Sequence, residues 1–185
     1  MGPCLSACLN ARMFSLRLVG SDRIEAGVAV EWDGVDDVMS ISIAAGQALE
    51  NSGTRFLVGG FGDLAWPVDV YPELSIVIEQ LPDILRALRE RQPCDLNFYE
   101  QGIERTIDII PNGEVAELRC HSRTDWIPNP AVETAPIEDL LAMFESLSRQ
   151  VADAVFAIDT DLGSRHPFST WRDSTSGLGR SRPEA

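Results

Sequence analysis

Few residues in this chain have the type and spacing to do chemistry, and each has a plainer reading beside it. Cys120 and His121 place a thiol next to a base. Neighbours on a strand point to opposite faces, so they cannot form a dyad with each other. Cys120 in a core and His121 outside is the expectation. Gly59-Gly60-Phe61-Gly62 suggests a phosphate cradle. It lacks GxGxxG spacing, and no helix follows to aim its N-terminus at an anion, so a tight turn is expected. Asp159-Thr160-Asp161 opens like a calcium loop, but Gly163 stands where the third oxygen ligand belongs. That segment reads as a helix end meeting solvent. Asp63, Asp69, Glu73, Glu100, Glu104 and Asp108 supply carboxylates. Paired carboxylates can do acid–base or glycosidic work, yet no spacing selects a pair. GxSxG, HExxH and CxxC are absent from the sequence.

Composition excludes further classes. All 15 basic residues are arginine. Without lysine there is no Schiff base, no P-loop lysine and no Ser-Lys dyad. The 2 histidines, His121 and His166, are too few for a multi-histidine metal site. No cofactor and no metal are expected. The net charge is -14 over 185 residues. Residues 164–185 carry four arginines against two acids, +2, which leaves the body at -16. Such a body repels phosphate backbones and anionic lipid, so nucleic-acid and membrane partners are disfavoured. It favours a basic protein partner. No apolar run approaches the ~20 residues that span a bilayer. Cys94 and Cys120 read as small core residues in a reducing cytosol, with a disulfide between them as the less favoured alternative.

These residues need elements to hold them. Residues 1–12 read as a loose extension, with Met13 as the natural start. Residues 13–20 and 27–33 read as strands, with a turn at Gly20-Ser21-Asp22. Within 38–50, Val38 to Ile43 alternates like a strand and Ala44 to Glu50 favours a helix. Residues 55–60 and 66–71 read as further strands around a turn at 61–63. Leu74, Val77, Ile78, Leu81, Leu85 and Leu88 form a helical stripe. Pro82 interrupts it, so it must kink the helix or begin a new one, and Leu74 to Ile78 has enough β-branching for a strand; the helix is predicted for about 82–91.

Residues 94–122 form three runs separated by Gln101-Gly102 and Asn112-Gly113, an antiparallel meander. Ile103, Arg105, Ile107 and Ile109 share one face of the middle strand, and Ala116, Leu118 and Cys120 one face of the last. Residues 123–135 are Pro-rich and read as loop. The stripe Ile137, Leu140, Leu141, Phe144, Leu147, Val151, Val155 and Ile158 predicts one long amphipathic helix. Phe168 and Trp171 are placed to dock on the body, and 173–185 reads as a disordered tail.

The stretches FLVGGFGDLAWPVDVYPELSIVIEQLP, LNFYEQGIERTIDI and LRCHSRTDWIPNP resemble those of small acidic bacterial α+β proteins. Some of these accompany toxins as immunity proteins. The resemblance covers about residues 13–172 and rests on size, charge and layout, so it carries no functional residue over.

One α+β domain over 13–172 is therefore expected. A mostly antiparallel sheet with a C-terminal meander would pack on one long and one short helix. The expected function is cytoplasmic, non-enzymatic binding of another, basic protein, as an immunity protein binds a toxin. Aromatics and acids mix at 61–73 and 96–108, the composition of an interface. Asp63, Asp69, Tyr71, Glu100 and Glu104 are the partner-binding candidates. Trp66, Trp126, Trp171, Phe61, Tyr71 and Tyr99 are either core lids or interface anchors. The alternatives are a small hydrolase or transferase using surface carboxylates, and an adaptor that docks other chains through its sheet edge.

Overall fold

The computed structural model describes residues 13–20 and 37–173. The elements run β1 (Ser15–Val19), α1 (Val38–Asn51), β2 (Arg55–Gly59), α2 (Ser75–Arg89), β3 (Cys94–Phe98), β4 (Arg105–Asn112), β5 (Val115–Ser122), β6 (Val132–Pro136), α3 (Ile137–Ile158), α4 (Thr160–Gly163) and α5 (Phe168–Asp173). They form the expected α+β class, as two antiparallel sheets: β1-β2, and β3-β4-β5-β6 in that order.

The meander follows its local signals. Asn112 pairs with Val115 across a turn in which Gly113 has φ +66, a conformation costly for side chains with a Cβ. The alternation then puts Ile107, Ile109, Ala116, Leu118 and Cys120 in the core and leaves His121 and Arg119 exposed. Asp108 lies opposite Arg119 on the outward face and bonds His121 Nε2 at 2.9 Å. Arg105 follows the same register into the core, where it is 3% exposed. The fourth strand, β6, begins at Val132, inside the segment expected to be loop, and ends at Pro136. Pro128 and Pro130 precede it, and Pro136 does not obstruct the ladder because it ends an edge strand.

Three further elements differ from expectation. Residues 38–50 are helical throughout their length. Asp37 caps α1, its Oδ1 accepting from the Ser40 N–H at 2.9 Å and its Oδ2 from the Ser40 hydroxyl at 2.7 Å. Ile41, Ala44, Ala45, Ala48 and Leu49 are buried, a helical spacing that prevails over the short alternation before it. The helix predicted for 82–91 instead begins at Ser75 and carries Pro82 in its interior. Proline there costs about 3 kcal/mol. Burying Val77, Ile78, Leu81, Leu85 and Leu88 along one face offsets that cost. Residues 66–71 are not a strand. The Trp66 N–H still bonds the Val58 carbonyl at 2.8 Å. The Glu73 carboxylate accepts from the Asp69 N–H at 3.0 Å, and the chain then bends through Val70–Leu74, with Tyr71 extended at φ -115 and ψ 123, into α2.

β1 pairs with β2, from Ser15 opposite Gly59 to Val19 opposite Arg55. The expected partner strand at 27–33, the turn at Ser21-Asp22, the 1–12 extension and the tail beyond Asp173 lie outside the described residues. The stripe of α3 is buried at Ile137, Leu140, Phe144, Leu147, Val151 and Val155. Phe168 and Trp171 of α5 pack edge to face at 5.7 Å and close the core beside α3. Asp159 does not merely meet solvent; it caps α4, accepting from the Leu162 N–H at 3.0 Å. Among the described residues no helix is long and apolar enough to cross a membrane.

Candidate functional site

Two places gather side chains beyond what the fold needs. The first begins where α1 meets α2. A Cβ on Gly46 would lie 2.0 Å from Ser75 Oγ, so only glycine permits this approach. The turn at Val70–Leu74 runs alongside and brings Tyr71 and Pro72 to the same place. A groove of about 250 Å³ opens there. Met39 and Ile43 of α1 form one wall, Ile76 of α2 and Tyr99 beyond β3 the other. Met39 is 54% exposed, Tyr99 45% and Ile43 37%, which leaves an apolar surface without a cover among the described residues.

The rim is acidic. Glu79 and Glu100 line the groove, and the Tyr99 hydroxyl donates to Glu79 Oε2 at 3.2 Å. Partial burial, and then the Glu79 charge, push the Tyr99 phenol above its ordinary pKa. Behind the rim, Glu73 is buried. Its desolvation raises the carboxyl pKa, and the charges of Asp69 and Glu100 act in the same direction. The bond from the Asp69 N–H opposes the rise without cancelling it. No arginine among the described residues is ion-paired with Asp69, Glu73, Glu79 or Glu100. Ser75 lines the floor at 4% exposure, and its Oγ has no hydrogen-bond partner.

The second place is internal. The Arg105 guanidinium lies 3.5 Å from the Trp126 ring centroid and 4.3 Å from that of Trp66. The two indoles meet at 62°, so the cation sits in the angle between them. Asp63 Oδ2 is 3.8 Å from its Nη1, while Nε and Nη1 lack hydrogen-bond partners. Burial lowers the Arg105 pKa and Asp63 acts against that; a guanidinium stays charged regardless.

Nearby, the buried Glu133 carboxylate accepts from the Phe14 and Phe61 N–H groups. The Gly59–Gly62 turn is thus a tight turn as expected, with an amide held by the protein's own anion. Both clusters tie the β1-β2 sheet to the four-stranded sheet. Burial pushes Cys120 up to about 12 and Cys94 up to about 11, so neither thiol is a nucleophile at neutral pH.

The five partner-binding candidates divide between these places. Tyr71 and Glu100 line the groove, and Asp69 stands beside Glu73 behind it. Glu104 closes the turn that opens at Glu100, its N–H bonding the Glu100 carbonyl at 3.2 Å. Its own carbonyl accepts from the Arg123 N–H at 3.0 Å. Asp63 belongs to the Arg105 cluster instead.

Met39, Ser42, Ile43, Ser75 and Glu79 were not legible as site residues. Met39, Ser42, Ile43 and Gly46 share one helical face, a signal hidden while Val38 to Ile43 reads as a strand. The arrangement can hold an amphipathic cation: apolar walls for a stem and carboxylates for a charged end. No protein-family model matches the chain, and neither does any curated protein or solved structure.

Proposed function

We propose that the protein is a non-enzymatic binding protein that captures a basic protein partner, acting as an immunity protein that neutralises a basic bacterial toxin. The acid-rimmed groove carries this reading. Exposed Met39, Ile43 and Tyr99 stand beside Glu79 and Glu100, two acids without an arginine partner among the described residues. Apolar anchors inside a charged rim are the composition of a protein interface. The net charge of -14 adds long-range attraction for a basic partner and speeds encounter at low salt. In this reading the protein works in the cytoplasm, where Cys94 and Cys120 remain free thiols.

Co-expression with the product of the adjacent gene tests the reading. The expected result is protection of the cell, a complex that survives purification, and an association rate that falls as salt rises. Neither protection nor a complex would refute it. Ester or glycoside turnover that disappears when Asp69 and Glu100 are replaced would move the assignment to a carboxylate enzyme.

A further inference from the structure

We infer that the groove between α1 and α2 receives one long cationic side chain, lysine or arginine, presented by the partner. Its stem lies along Met39, Ile43 and Tyr99, and its charged end lies between Glu79 and Glu100. This rests on the binding function proposed above and names what the groove recognises.

Size is the first argument. The groove holds about 250 Å³, below the ~300–1,000 Å³ typical of sites for drug-sized ligands and cofactors. It suits a single side chain. Charge is the second. Glu79 and Glu100 face the groove, with Asp69 and Glu73 behind Glu100, so an anion is repelled and a cation attracted.

The carboxylates do not converge as ligands. Among the described residues, no three His, Cys, Asp or Glu side chains are grouped to hold a metal ion. A cation held here must therefore gain its affinity from an organic body as well as from its charge. The exposed Met39 and Ile43 supply the complementary apolar surface. The third argument is the floor. Ser75 Oγ is buried without a partner, which is costly for a polar atom unless a ligand donor can use it. The opening at Gly46 that accommodates this hydroxyl would close if any larger residue stood there.

The test uses the full chain with labelled Met and Ile methyl groups. The probes are N-acetyl-arginine amide, N-acetyl-lysine amide, N-acetyl-citrulline amide and N-acetyl-norleucine amide. Met39→Leu and Ile43→Val assign the two signals. The expected result is saturable shifts of the Met39 and Ile43 methyls with the arginine or lysine probe, weakened by salt. Citrulline and norleucine should leave these signals in place. Whichever cationic probe binds more tightly identifies the preferred side chain.

Glu79→Gln combined with Glu100→Gln should weaken binding about tenfold or more, with the remaining methyl spectrum unchanged to show an intact fold. Equal shifts with citrulline or norleucine would overturn the inference, as would unchanged affinity in the double variant. Absence of any shift up to the solubility limit of the probes would overturn it too. A basic partner that binds the wild type and the double variant equally would refute the groove while leaving the binding function standing. Failure to find any partner complex would count against that function instead.

Discussion

The side chain of Gln80 hydrogen-bonds both outward backbone groups of Asn97. Its Oε1 accepts from the Asn97 N–H at 2.9 Å, and its Nε2 donates to the Asn97 carbonyl at 3.0 Å. A side-chain amide thus stands in for a neighbouring strand along the free edge of β3. An open edge invites pairing with another chain; here α2 covers it. The same clasp sets the groove, because Glu79 precedes Gln80 on α2 and Tyr99 follows Asn97 by two residues.

Gln80→Ala should therefore do two things. It strands two half-buried backbone groups, at a cost of about 1–3 kcal/mol, read as a lower urea midpoint. It also frees the edge of β3, so the variant should self-associate at concentrations where the wild type does not, checked by light scattering.

Gly46→Ala should destabilise by about 1–3 kcal/mol, because the new Cβ overlaps Ser75 Oγ. Ser75→Gly removes that atom, so the double variant should recover most of the loss. A double-mutant cycle in urea measures the coupling. Additive effects would show that α1 and α2 do not meet through this pair.

Arg105 is a cation held mainly by two indoles, with Asp63 3.8 Å from Nη1 and no hydrogen-bond partner at Nε or Nη1. Arg105→Ala leaves a void between Trp66 and Trp126 and should cost about 2–5 kcal/mol. Arg105→Met fills the space without a charge. Such replacements of buried ions are often neutral or stabilising, and here the half-buried Asp63 keeps solvent contact and the Ala65 N–H on its Oδ1 once the guanidinium is gone. Equilibrium unfolding followed by tryptophan fluorescence should rank Met at or above the wild type, and Ala below it.

Glu73 has a raised pKa from burial, and from Asp69 and Glu100. Between its ordinary and its raised value the folded chain binds more protons than the unfolded chain. Stability then falls as pH rises through that window. The contribution is fully present below the ordinary glutamate range and lost above the raised value. Glu73→Gln keeps an acceptor for the Asp69 N–H and removes the titration. Its urea midpoint should exceed that of the wild type at pH 7, and the gap should narrow as pH falls through the window.

The meander and the last long helix were legible because their signals are local. Asn112-Gly113 specifies a turn within four residues, and the alternation of Arg105, Ile107 and Ile109 assigns faces at a period of two, although Ile103, read into the same strand, lies in the turn before it. The α3 stripe repeats over 22 residues and tolerates no other element. Elements whose local signals conflict were settled only by packing. Val38 to Ile43 alternates, yet burial of the Ile41 to Leu49 face makes it helix. Pro82 opposes a helix, yet the apolar stripe around it prevails. The proline-rich stretch before α3 holds β6 because β5 offers it an edge.

The groove was least legible. Its walls come from residues 39–43, 71–79 and 99–100, and periodicity says nothing about which distant faces will touch. Tyr71 and Glu100 stood out because an aromatic and an acid are visible residue by residue. Met39, Ile43 and Glu79 became site residues only when Gly46 let α1 approach Ser75. Arg105 reads as one core-face position among isoleucines, and what makes burial tolerable there is a pair of tryptophans 39 positions before it and 21 after it. Turn chemistry and hydrophobic period act over a few residues; contact between distant segments is decided by which surfaces can be buried together, and that is a property of the assembled chain.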